Sequence, residues 1–188
     1  DPLDDGHGRI AYVYPKEPVW KLQPGLGQPD VDVYEVLYSR MATTLAAQGR
    51  SIYYFGYDWR KDLNVSDPLL DQKINAVLAA TGKDKVVLVG HSMGGMMSRH
   101  YILKYGASKV DQIITFGTPY LGSVHPAKYL EMGDNMGMIG DLGPFHFELD
   151  AAVVKEMALN FGGLYEMLPA RQWFDRGPFD GAYFDPRY

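Results

Sequence analysis

Val86-Val87-Leu88-Val89-Gly90-His91-Ser92-Met93-Gly94-Gly95 is the stretch on which the reading of this chain turns. Val86 to Val89 is apolar on both faces, as a central parallel strand is, because such a strand is covered on both sides of its sheet. From Met93 to Tyr105 the pattern is helical and Gly106 closes it. Strand, tight turn and helix thus follow one another directly, the setting that makes a G-x-S-x-G string read as a nucleophile turn. The turn is expected to hold Ser92 in a strained backbone conformation with its hydroxyl exposed, and side chains at positions 90 and 94 are expected to collide with neighbouring backbone. Gly95 extends that tolerance into the first helical turn. The backbone N–H of Met93, at the helix N-terminus, is placed to donate to an oxyanion, and the helix dipole favours negative charge there. The competing reading is a Gly-rich turn that only packs closely or holds a phosphate; a phosphate loop would carry G-x-G-x-x-G or a closing Lys, and neither is present.

Outward from this stretch the chain alternates between short β-rich runs and amphipathic helical patterns. Val110 to Phe116 is the next strand. Upstream, a helix is expected to begin with Asp67 as N-cap and Pro68 at its first position, carrying Leu70, Ile74, Val77 and Leu78 on one face. Ser51 to Tyr57 is aromatic and reads as a strand ending in Asp58-Trp59-Arg60. From Tyr34 to Gln48, Tyr34, Leu37, Tyr38, Met41 and Leu45 fall at helical spacing, and Gly49 stops the pattern. Ile10 to Tyr14 is a strand candidate, with loop from Pro15 to Asp30. Strand and helix in alternation predict an α/β fold, a mostly parallel sheet with helices on both faces.

Composition narrows the function. The 188 residues are enough for one ordinary domain. Eighteen basic against twenty-three acidic residues leave a net charge of −5, so nucleic acid is not an expected partner. The absence of cysteine rules out a disulfide scaffold, thiolate metal sites and a Cys nucleophile. No run approaches the roughly 20 apolar residues of a membrane span, so no transmembrane segment is expected. No metal and no cofactor is expected either, since the aspartates between Met132 and Phe145 lack a spaced set of oxygen ligands. The chain reads as soluble, and secretion is compatible with it.

Taken together, the motifs resemble a known family. Gly90-His91-Ser92-Met93-Gly94-Gly95 is similar to the nucleophile elbow of α/β-hydrolase lipases. Tyr57-Asp58-Trp59-Arg60, Phe116-Gly117-Thr118-Pro119-Tyr120-Leu121-Gly122-Ser123 and Gly163-Leu164-Tyr165-Glu166-Met167-Leu168-Pro169, in this order, resemble the lecithin:cholesterol acyltransferase-like lipases. The resemblance implies an α/β-hydrolase fold over 1–188, with a cap or lid at about 120–150. It implies a serine ester hydrolase or acyltransferase acting on acyl esters of lipids through an acyl-enzyme, with Ser92 as nucleophile and the Met93 N–H as one oxyanion donor. The partner is then a lipid or acyl-ester substrate, and transient membrane-surface contact is compatible with that.

The residues by themselves say less about the other motifs. Asp58 and Arg60 read better as a structural pair than as reacting groups. Gly117-Thr118-Pro119 ends a strand with a forced turn, and Gly122 lets the chain leave the sheet edge. The Gly- and Met-rich run from Met132 to Phe145 reads equally as a lid and as an irregular loop.

The triad needs a base and an acid after the serine, in the order Ser, then Asp or Glu, then His. His7 and His91 precede Ser92, His100 shares its helix, and no His follows His146. His146 with Asp134 or Asp141 is the internal rival, but the favoured expectation is that the triad's His and Asp lie outside this chain, read as the middle of a longer hydrolase. A second oxyanion donor is sought in Pro24-Gly25-Leu26-Gly27 or upstream. Two function classes stay open: the serine ester hydrolase or acyltransferase, and a non-catalytic hydrolase-like domain that binds a lipid or a protein.

Overall fold

The computed structural model describes residues 21–22, 31–32, 34–134, 139–142, 145–148 and 150–172. The chain divides into two compact units, 1–22 with 30–58 and 23–29 with 59–188. The strand candidate Ile10–Tyr14 lies outside the described residues.

In the first unit, β1 (Lys21–Leu22) and β2 (Val31–Asp32) pair antiparallel, so the expected loop from Pro15 to Asp30 contains a strand end. Helix α1 (Glu35–Ala46) forms where the 3.6-residue spacing places it and ends as expected, with Gly49 at positive φ and the Arg50 N–H bonded to the Leu45 carbonyl at 2.9 Å. Its apolar stripe is not buried. Ser51–Tyr57, expected as a strand, forms no ladder among the described residues. Its rings pack against their neighbours instead, Tyr54 edge-on to Tyr38 and Phe55 stacked on Tyr57. Aromatic and β-branched residues favour a pleated, half-buried surface, which without a neighbouring strand gives aromatic packing and no sheet.

The second unit holds the serine turn. α2 (Leu63–Thr81) leads to β3 (Val86–His91), α3 (Met93–Tyr105) and β4 (Val110–Phe116). β3 and β4 pair in parallel, with Val89 opposite Ile114 and Gly90 opposite Thr115, so β3–α3–β4 is a βαβ unit. α3 packs across both strands and α2 packs on α3. Leu63, Leu70 and Ile74 of α2, and Met97 and Tyr101 of α3, are buried in this core. A polar clamp joins α2, α3 and the residue before β4: Asp71 accepts from the Tyr101 hydroxyl and from Lys109 Nζ, each at 2.7 Å. The Lys109 bond and the Tyr101 bond hold the Asp71 carboxyl below the usual range, while burial pushes the Tyr101 hydroxyl up.

Two expectations about this unit are corrected. Asp67 is not an N-cap: α2 begins at Leu63, capped by Asp62, whose carboxylate accepts from the Asn64 N–H at 2.7 Å. Asp67 and Pro68 lie inside the helix, where the ring removes the N–H that would bond the Asn64 carbonyl. What overrides the sequence signal is packing, because Leu63 and Asp67 face the core and are 2% and 0% exposed. Nor do the described residues of this unit cover β3 on both faces. Val87, Val89, Ile114 and Phe116 share one face and remain 39–48% exposed, while α3 covers the other.

α4 (Val124–Met132) is capped by Ser123, and α5 (Ala151–Leu159) by Asp150. They pack together and, with the short α6 (Gly162–Glu166), bury Leu130, Ala158 and Leu164. Between α4 and α5, β5 (Ile139–Leu142) and β6 (Phe145–Glu148) form an antiparallel pair. The run read as either lid or irregular loop therefore holds β5 and ends on the first residue of β6.

Candidate active site

Ser92 sits between β3 and α3 with φ 53° and ψ −125°, and among the described residues it is the one non-glycine at positive φ. An L-residue there is strained by on the order of 1–3 kcal/mol, which persists only where the surroundings over-determine it. Here they do: the Ser92 N–H bonds the Phe116 carbonyl at 2.9 Å, and its own carbonyl accepts from Gly95 at 3.1 Å. Ser92 is half-buried. Met93 is the first residue of α3, so its N–H has no acceptor within the helix and lies at the positive end of the dipole. The Met93 side chain is buried.

The glycines divide differently from the expectation. A Cβ on Gly90 would lie 2.5 Å from the Gly95 nitrogen and 2.6 Å from the Gly94 carbonyl. Position 94 is corrected: a Cβ there would meet nothing within 4 Å. The second steric glycine is Gly95, where a Cβ would run into the Thr118 hydroxyl and lie 2.9 Å from Thr115 Cγ2. The reason is helical phase. Gly95 faces the sheet and the turn after β4, whereas Gly94 faces away.

The remaining motifs converge on this turn within the second unit. Gly117, directly after β4, has φ 55°, and Thr118 packs against Gly95. Gly122, at φ 92°, leaves no room for a Cβ against the Leu168 carbonyl and Pro169. The Ser123 N–H bonds the Met167 carbonyl at 2.8 Å and the Ala170 N–H bonds the Leu121 carbonyl at 2.9 Å, so residues 121–123 and 167–170 are stitched together. α6 is fixed to the Trp59-Arg60 segment by the Gly163 N–H on the Arg60 carbonyl at 3.0 Å, with Trp59 edge-on to Phe161 and Arg60 over the same ring. A Cβ on Gly163 would also come within 3.0 Å of Met93 Cε. Segments far apart in sequence therefore build one wall beside the serine.

Among the described residues no imidazole is bonded to the Ser92 hydroxyl. His100 Nδ1 lies 2.8 Å from Asp67 Oδ2, a pairing that looks like the base and acid of a triad, but His100 is eight residues on along α3, about 12 Å of helix rise from the serine. His125 Nδ1 is 3.3 Å from Ser123 Oγ, at the α4 cap. Asp134 pairs with Lys128 at 3.1 Å. The β5–β6 register sets Asp141 opposite His146. His7, Leu26 and the loop around it lie outside the described residues. Sequence reasoning missed the two basic partners of Asp67, His100 and Lys104, at 2.8 Å and 3.2 Å from its Oδ2. Their signal was only that charged residues recur on otherwise apolar helix faces. Among the described residues no group of three or more His, Asp or Glu is placed to hold a metal ion, and no helix is long and apolar enough to cross a membrane.

Comparison with known proteins bears on the same motifs. The chain is 34% identical to the phosphatidylcholine-sterol acyltransferase of Rattus norvegicus over 89 residues, 44% of this chain and 20% of that one. The enzyme of the same name from Gallus gallus is 33% identical over 89 residues, 44% of this chain and 21% of that protein. A triacylglycerol lipase of Pseudarthrobacter phenanthrenivorans is 48% identical over 50 residues, 27% of this chain and 15% of the lipase. The matched part thus spans about a fifth or less of these relatives' length. The family model for lecithin:cholesterol acyltransferase matches residues 21–179, which include the serine turn and all three segments that wall it. The chain belongs to the lecithin:cholesterol acyltransferase family.

Proposed function

We propose that this chain carries the nucleophile-bearing part of an α/β-hydrolase that cleaves or transfers acyl esters of lipids, with Ser92 as the attacking residue. The observation that carries the reading is the backbone of Ser92, held at φ 53° between a parallel strand and a helix N-terminus. A domain that only binds has no need of a strained, partly exposed hydroxyl, and strain of this kind gathers at reacting groups. In the first step Ser92 Oγ attacks the ester carbonyl carbon, and the carbonyl π electrons move onto its oxygen. The N–H of Met93 donates to that oxyanion, a contribution of about 3–4 kcal/mol where a single donor of this kind has been removed. Collapse expels the alcohol, which takes up the serine proton through a general base, and leaves an acyl group on Ser92. Water or a second alcohol then attacks the acyl carbon, giving hydrolysis or transfer. His100 and His125 are engaged elsewhere, so the base is assigned to a residue beyond those described. The segment of about 120–150, with α4 and the β5–β6 hairpin, is assigned as the cap over the acyl chain.

The names of the relatives support the class, as acyltransferase and lipase. A fluorophosphonate probe tests the assignment. Ser92 of the folded full-length protein is expected to be labelled, and Ser92→Ala to abolish labelling. A folded full-length protein that takes up no probe overturns the reading in favour of a binding domain.

A further inference from the structure

The proposed chemistry leaves one polar atom beside the serine turn without a task. Thr118 follows Gly117, whose φ of 55° turns the chain out of β4, and precedes Pro119, which restricts the backbone of the residue before it. The Thr118 hydroxyl oxygen is sealed from solvent and finds no hydrogen-bond partner among the described residues. Burying a hydroxyl in this way is unfavourable, and valine, with the same branching and no oxygen, would avoid it.

What the oxygen faces is Gly95. A Cβ at Gly95 would run first into Thr118 Oγ1, with Thr118 Cγ2 at 2.8 Å and Thr115 Cγ2 at 2.9 Å. In glycine a hydrogen lies along that bond and is aimed at the oxygen. An oxygen can sit closer to a Cα–H than a methyl can, at about 3.3–3.6 Å against about 3.5–4.0 Å between two carbons. Threonine therefore allows an approach between the turn after β4 and the first turn of α3 that valine would hold apart.

The contact closes a ring around the oxyanion donor. The Ser92 N–H bonds the Phe116 carbonyl at 2.9 Å, and the Gly95 N–H bonds the Ser92 carbonyl at 3.1 Å. With Thr118 against Gly95, residues 92–95 are anchored to residues 116–118 at both ends, and Met93 lies between the two anchors. Thr118 is itself braced by the wall: its carbonyl accepts from the Tyr120 N–H at 3.0 Å, and the Gly122 N–H bonds the Pro119 carbonyl at 2.9 Å. We propose that Thr118 is a positioning residue: its hydroxyl oxygen, packed on Gly95, sets how close the first turn of α3 lies to the turn after β4, and so aims the Met93 N–H at the forming oxyanion. The inference rests on the reading of Ser92 and Met93 given above.

Fluorophosphonate labelling of the full-length protein tests this with Thr118→Val and Thr118→Ser. Labelling is followed at several probe concentrations, so that the limiting rate at Ser92 is separated from the half-saturating concentration, and melting confirms that each variant is folded. Thr118→Val is expected to lower the limiting rate about ten-fold, within the roughly hundred-fold that a displacement of about 1 Å can cost, and to leave half-saturation unchanged. Thr118→Ser keeps the oxygen and is expected to label close to the native rate. A native rate in Thr118→Val overturns the inference, as does an equal loss in Thr118→Ser, and a change in half-saturation alone shows that the contact acts on binding and not on aim. Should Thr118→Val not fold, Thr118→Ala takes its place: it removes the spacer without adding bulk and is expected to label slowly, and a native rate there overturns the inference. If the folded native protein takes up no probe, the nucleophile reading fails and this role falls with it; uptake by the native protein without loss in the variants overturns this role alone.

Discussion

The turn between β3 and α3 takes its shape from its own residues, whereas the start of α2 takes its shape from residues thirty-three and thirty-seven positions away. At the turn, Gly90 is required because its Cβ would strike backbone only four and five residues on, and the Ser92 conformation follows from a strand passing directly into a helix. At α2, the N-cap signal of Asp67-Pro68 is a good local rule that loses. Asp67 is drawn into the core by His100 and Lys104, and the helix begins further upstream, where Asp62 caps it. Local steric exclusion cannot be outbid by tertiary contacts; a capping preference of about 1 kcal/mol can.

The sharpest way to break this contrast is at the glycines. Gly90→Ala is expected to cost about 3 kcal/mol or more, because the obstacle is backbone, and to prevent folding in a marginal background. Gly94→Ala is expected to be neutral or to gain up to about 1 kcal/mol, since its Cβ meets nothing and alanine favours a helix. Urea denaturation compares them, and equal losses would show that the turn is less locally determined than its geometry implies.

A smaller effect is expected at Asp67. Were it an N-cap, Asp67→Asn would be almost silent, because asparagine caps as well as aspartate. As a fully buried partner of His100 and Lys104 it is expected to lose about 1–3 kcal/mol on the same change, discounted because both partners are about a third exposed. A denaturation midpoint unmoved by Asp67→Asn would restore the capping reading.

The smallest effect separates the two registers of α2 by its sign. With Pro68 inside the helix, Pro68→Ala restores a donor to the Asn64 carbonyl and is expected to raise stability by on the order of 1 kcal/mol. With Pro68 at the first helical position the same change would be neutral or unfavourable. Thermal melting of the single variant decides between them.

How much was legible follows from the same division. The strand before Ser92, the turn, the helix after it and the next strand were all readable, because periodicity and glycine placement are local properties. The halt of α1 near Gly49 was readable for the same reason. The face of β3 bearing Val87 and Val89 has no cover among the described residues of its unit, since an apolar pattern records what a strand can tolerate and not what lies over it. Ser51–Tyr57 carries strand-forming residues yet has no ladder among the described residues, because a strand exists only with a partner. The His100–Asp67 pair shows the converse. Sequence order alone set His100 aside as a base for Ser92, and the geometry then gave it an acid and a different task.

By itself, then, the sequence determined the alternation of elements, the strained serine and the N–H beside it, and the family to which its motifs belong, because these rest on steric rules that act within a few residues. The tertiary structure alone decided where α2 begins, which glycine after the serine is indispensable, and that Trp59, Thr118, Gly122 and Gly163 form one wall. Those outcomes depend on burial and on charges brought together from distant parts of the chain, where the energy of a contact exceeds the preference of any one residue.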